Sequence, residues 1–87
     1  MPDLIVYTTP TCAPCRVVKS KLDRLGIAHE VVDLTLDDDA LAHLRELTKA
    51  ATGSDTVHTP TLELGGELRM IGMVPVDLQA VIDEVLG

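Results

Sequence analysis

Thr8-Thr9-Pro10-Thr11-Cys12-Ala13-Pro14-Cys15 sets the architecture of the segments around it. Before it runs Leu4-Ile5-Val6-Tyr7, a short continuous apolar segment that suits a buried central strand. From Cys15 onward, Val18, Leu22 and Leu25 recur at i+3, i+7 and i+10, which is one face of a helix. Arg16, Lys19 and Asp23 fall on the wet side, and Gly26 supplies a C-terminal stop. The only two cysteines of the chain therefore stand in C-x-x-C spacing at a strand-to-helix junction, with Thr8 to Thr11 as the loop. That placement is the sequence sign of a thiol–disulfide redox site.

Beyond Gly26, Ile27 to Val32 predicts a second strand ending at Asp33, joined to the first by a right-handed parallel crossover. Asp37, Asp38 and Asp39 provide the N-cap and first-turn acids of a second helix, with Leu41, Leu44, Leu47 and Ala51 as its apolar stripe. That helix is expected to end near Thr52-Gly53. An irregular loop from Gly53 to Thr59 leads into Thr59-Pro60. Thr61-Leu62-Glu63-Leu64 and Glu67-Leu68-Arg69-Met70-Ile71 flank Gly65-Gly66, a two-residue hairpin signal. Gly72 to Pro75 break the pattern, and a last helix turns Leu78, Val81, Ile82 and Val85 inward. The order βαβαββα gives a single α/β domain over residues 1–87, with no repeat or interdomain linker.

Composition limits the function classes. Eighty-seven residues suit one small core, here 46% apolar but aliphatic, since Tyr7 is the lone aromatic. A net charge of −7 argues against a phosphate-backbone partner. No apolar run reaches membrane-spanning length, and Met1-Pro2-Asp3 has no charged-then-apolar leader pattern, so a cytoplasmic location is expected. In that compartment a C-x-x-C is catalytic more often than structural.

The two cysteines are chemically unequal. Cys12, as the cap of the first helix, receives its unpaired N–H groups and the positive end of its dipole, which favour thiolate. Cys15 lies on the apolar face and is shielded. Cys12 is thus expected to attack a substrate disulfide and Cys15 to resolve the mixed disulfide. Pro14 fits the first turn, where N–H groups have no helical acceptor, and stiffens the loop between the sulfurs. Arg16 is a candidate cationic neighbour of Cys12. A zinc site needs about four ligands, and His29, His43 and His58 sit on different elements; only His58, next to Thr59-Pro60, is placed to approach the cysteines. His29 and His43 read as surface residues.

From Leu4 to Leu86 the element order, the strand-loop-C-x-x-C opening and the later Thr59-Pro60 resemble the glutaredoxin branch of the thioredoxin superfamily. The resemblance implies a thioredoxin/glutaredoxin-like fold with a four-stranded mixed central sheet flanked by three helices. It implies a cis Pro60 facing the cysteines, with the Thr59 backbone pairing to the bound substrate chain. Thr11, Ala13, Pro14, Gly72 and Met73 complete the implied partner-binding rim. Met70 and Met73, flexible and apolar, form a candidate docking patch beside Gly72.

Within the branch, glutathione users show C-P-Y-C, a Lys three residues before the first Cys, Thr-Val-Pro and a late Gly followed by two acids. Here stand Ala13-Pro14, Thr9, His58-Thr59-Pro60 and Gly72-Met73-Val74. NrdH-redoxins carry Trp-Ser-Gly-Phe-Arg-Pro where this chain has Met70-Ile71-Gly72-Met73-Val74-Pro75, which keeps the Gly and the Pro. The NrdH-like resemblance implies thioredoxin reductase as electron donor and protein disulfides as acceptors, ribonucleotide reductase among them. It also implies a monomer whose only redox group is the Cys12–Cys15 disulfide, with no metal or organic cofactor. Two alternatives stand beside it: reduction by glutathione or mycothiol, as in glutaredoxins and mycoredoxins, and a dimer bridging an iron–sulfur cluster through Cys12.

Overall fold

The computed structural model describes residues 3–87. Met1 and Pro2, the start of the stretch read as having no leader, lie outside the described residues. The chain forms β1 (Leu4–Thr8), α1 (Ala13–Arg24), β2 (Glu30–Asp33), α2 (Asp38–Thr52), β3 (Thr61–Leu64), β4 (Glu67–Ile71) and α3 (Pro75–Leu86). The strands make one sheet in the order β2-β1-β3-β4, with β1 and β2 parallel and the other two pairs antiparallel. Four mixed strands with three helices is the thioredoxin/glutaredoxin-like fold.

Alternation along β1 sorts its side chains onto two faces. Leu4 and Val6 join Val18 and Leu22 of α1, Leu62 of β3, and Leu78, Val81 and Ile82 of α3 in one core. Ile5 and Tyr7 point the other way, into a second core with Leu34, Val32, and Ala40, Leu41 and Leu44 of α2. Both layers are aliphatic apart from Tyr7.

The predicted stripes are right in phase and too long at their ends. Leu25 is 41% exposed because it is the C-cap of α1, after which Gly26 turns the chain at φ +70°. Ile27 takes the core position instead, its N–H held by the Leu22 carbonyl at 3.0 Å. That bond ties Ile27 to the helix end, so β2 starts at Glu30, opposite Ile5, rather than at Ile27. On α2 the buried row runs from Leu44 to Thr48, four residues on, which leaves Ala51 exposed. Val85 lies in the last turn of α3, beyond the core, and is also exposed. The caps agree with expectation: Asp37 accepts from the Ala40 N–H at 2.9 Å, and Gly53 closes α2 in the left-handed region at φ +81°.

β4 contains an irregularity that periodicity did not reveal. Leu62 faces Met70 and Glu63 faces Leu68, so Arg69 is an extra residue in the ladder. The bulge reverses the alternation. It sends Met70 into the α1/α3 core and Leu68 to the α2 side, while Arg69 pairs with Glu84 of α3.

Register fixes where the loops gather. Tyr7 lies beside Thr61, Thr61 beside Ile71, and Thr8 beside Asp33. The chain therefore leaves β1, β2 and β4, and enters β3, all at one end of the sheet.

Candidate active site

At that end the C-x-x-C caps its helix. Cys12 is the N-cap of α1 with extended backbone (φ −87°, ψ 102°), and its Sγ accepts the Cys15 N–H at 3.2 Å. The Cys12 N–H donates to the Thr9 carbonyl at 3.2 Å, which closes the loop under the motif. Ala13 and Pro14 occupy the first turn, so the N–H that proline lacks removes no helical bond. Cys12 and Cys15 form a disulfide with Cα atoms 5.3 Å apart. Exposure separates them as periodicity predicts: Cys15 is 1% exposed, and Cys12 is half-buried among exposed Thr11, Ala13 and Pro14. Arg16 is exposed one position past Cys15.

Thr59-Pro60 enters β3 through a cis peptide bond, as the resemblance implies. Pro60 is buried and Thr59 half-buried. The Thr61 hydroxyl donates to the His58 carbonyl at 2.5 Å and pins the turn. Gly72 follows β4 at φ +72°, and a Cβ built there would meet the His58 Cβ at 3.6 Å. The cysteine loop, the His58–Pro60 turn and the Gly72 segment thus share the sheet end. Met73 is 36% exposed there, but Met70 is 1% exposed and belongs to the core, so only Met73 of the expected pair can meet a partner. Among the described residues no group of three or more His, Cys, Asp or Glu forms a metal-holding cluster.

The other two histidines divide. His43 is exposed, as expected. His29 is not a surface residue: its side chain is 7% exposed, and Nδ1 lies 2.8 Å from the Ile27 carbonyl.

One polar cluster went unread in the sequence. The Tyr7 hydroxyl donates to Glu63 Oε1 at 2.8 Å in a buried site, and His43 Nε2 approaches the same oxygen at 3.3 Å. The available signal was Glu63 itself, an acid inside a strand that pairs on both sides. Burial, the bond to Glu63 and the nearby charges of Glu63 and Glu30 push the Tyr7 phenol far above its ordinary range. A raised pKa favours the protonated group in the folded state. This contribution is fully present below the ordinary value of about 10 and fades as pH rises above it. Tyr7 is the only tyrosine, so ultraviolet absorbance reads it directly. Tyrosinate is expected only above the ordinary range and together with unfolding; a native titration near 10 would contradict the buried bond.

The glutaredoxin family model matches residues 4–69. The Gene 56 protein of Mycobacterium phage L5 is 31% identical over 78 residues, covering 90% of this chain and 70% of that protein. The Gene 56 protein of Mycobacterium phage D29 is 35% identical over 49 residues, 56% of this chain and 54% of that protein, so the match spans about half its length. Among solved structures, the thioredoxin-like protein BC3987 is similar at a TM-score of 0.68 and 32% identity, covering 90% of this chain and 97% of that one.

Proposed function

The chain belongs to the glutaredoxin family, and from that membership we propose that it is a dithiol electron carrier, reduced by a flavoprotein thioredoxin reductase and reducing protein disulfides. It is a glutaredoxin-like thiol redox protein with a Cys12–Cys15 disulfide. The observation that carries the reading is the Cys15 N–H directed at the Cys12 sulfur on the helix N-cap, with Cys15 itself buried.

In the reduced protein, helix N–H groups and the positive dipole end favour the Cys12 thiolate. That thiolate attacks one sulfur of a substrate disulfide, forming a mixed disulfide and expelling the other substrate sulfur as thiolate. The Cys15 thiol loses its proton and attacks Cys12 Sγ, which releases the second substrate sulfur. Two electrons have then passed to the substrate, and the Cys12–Cys15 disulfide remains for the reductase to reduce. Thr59 beside cis-Pro60 offers its backbone to the substrate chain, and Thr11, Ala13, Pro14, Gly72 and Met73 form the rim. No step needs a metal or an organic cofactor, and a monomer in the cytoplasm suffices.

The choice of electron donor is supported by what stands around the cysteines. Thr9 replaces the lysine, and Met73-Val74 replace the acids, that would hold the charged ends of glutathione. Oxidised protein mixed with NADPH and thioredoxin reductase is expected to consume NADPH, and with glutathione or mycothiol systems to react far more slowly. Reduction by a thiol system alone would overturn the assigned donor. The x-Pro pair inside the motif leads to an expected potential near the thioredoxin value of about −270 mV. Equilibration with defined redox couples measures it, and a value above about −200 mV would refute the expectation.

A further inference from the structure

Helix α1 holds four of the seven Lys and Arg residues of the chain and one of its fourteen Asp and Glu residues. On its outer side a groove of about 540 Å³ is lined by Arg16, Val17, Ser20, Lys21, Arg24 and Leu25. The lining is partly apolar: Val17 is 56% exposed and Leu25 is also open to solvent. Arg16 begins the groove one residue after Cys15, and Arg24 stands eight residues on, about 12 Å along the axis. Ordinary helix electrostatics explains only part of this. Lys21 and Arg24 complement the C-terminal end of the dipole, but Arg16 sits near the positive end, where α1 carries no acid in its first turn. Among the described residues, none of the four α1 cations is in an ion pair, although the protein carries a net charge of −7.

We propose that this groove is a docking site for an acidic segment, interleaved with aliphatic residues, of the protein whose disulfide is reduced. Charge complementarity selects the occupant: three unpaired cations share the groove's lining with Val17 and Leu25, on a molecule whose remaining residues carry a large excess of acids. The groove starts at the redox motif, so a segment lying in it brings the neighbouring disulfide toward Cys12. Docking of this kind acts mainly on encounter and choice of partner. The proposal rests on the dithiol-carrier reading above, and its test separates the two.

The test uses short labelled cysteine-free peptides in which Glu, Gln or Lys alternates with Leu and Ala, titrated with the oxidised protein by fluorescence anisotropy. The Glu peptide is expected to bind roughly ten-fold tighter than the Gln peptide at low salt, with the Lys peptide weakest. The preference should fade at high salt, as screening of exposed charges requires. K21E/R24E should reverse the order of the Glu and Lys peptides, and V17S should weaken the Glu peptide without reversing it. Equal binding of the three peptides by the unaltered protein would overturn the docking site, as would an order that survives in folded K21E/R24E. The same peptides with an appended disulfide loop, mixed with the protein in its Cys12/Cys15 dithiol form, then report reduction, the protein ending as the disulfide. If none is reduced while the anisotropy order holds, the electron-carrier reading fails and the groove stands.

Discussion

Replacing Cys12 with Ser is expected to abolish disulfide reduction, by on the order of 10⁴-fold or more, while leaving the fold intact. A serine hydroxyl can cap α1 as the sulfur does, because an N-cap needs only an acceptor for a first-turn N–H. What it cannot supply is a thiolate, the species that attacks a disulfide. Cys15→Ser separates the two steps. The half-buried Cys12 should still attack, but nothing then attacks Cys12, so a mixed disulfide with the substrate should accumulate. A non-reducing gel reads it as a higher band that dithiothreitol removes. Turnover by Cys12→Ser, or a mixed disulfide trapped on Cys15 in that variant, would reverse the assigned roles.

Leu62→Ala should be the most damaging change away from the cysteines. Leu62 lies on β3, between β1 and β4, and is fully buried beneath α1 and α3. Truncating a buried leucine costs about 2–5 kcal/mol, according to how far the walls relax. A chain of 87 residues has a total stability of roughly 4–13 kcal/mol at 0.05–0.15 kcal/mol per residue. The melting temperature should therefore fall by about 8–40 °C, read by circular dichroism. Leu36, 84% exposed in the loop after β2, is the control. Its replacement by Ala should change stability by less than about 0.5 kcal/mol. Comparable losses at the two positions would mean that the core is not organised around β3 as described.

The difference between those leucines marks where sequence reading succeeds. Leu62 and Leu64 alternate with Thr61 and Glu63 over a strand-length segment next to a Gly-Gly turn, so the burial of Leu62 follows from local pattern. The hairpin glycines adopt φ +61° and +87°, as a two-residue turn of this kind demands. Cys15 was legible for the same reason, being in phase with Val18 and Leu22. Leu25, Ala51 and Val85 continue their stripes in phase, yet they are exposed. Periodicity states which side of a helix faces inward; it does not state where the opposing layer ends.

The order of elements, the capped C-x-x-C at the strand-to-helix junction and the unequal exposure of its two cysteines are all readable along the chain. Each of these depends on residues within a turn or two of one another. The folded structure makes Met70 core, through the bulge at Arg69 that reverses the alternation, and leaves Met73, past the end of β4, at the surface. It alone joined Tyr7 to Glu63 and laid Gly72 against His58. The strand order β2-β1-β3-β4 makes neighbours of segments more than fifty residues apart in the chain. No local preference encodes such a pairing. The cores on the two sides of the sheet select it together.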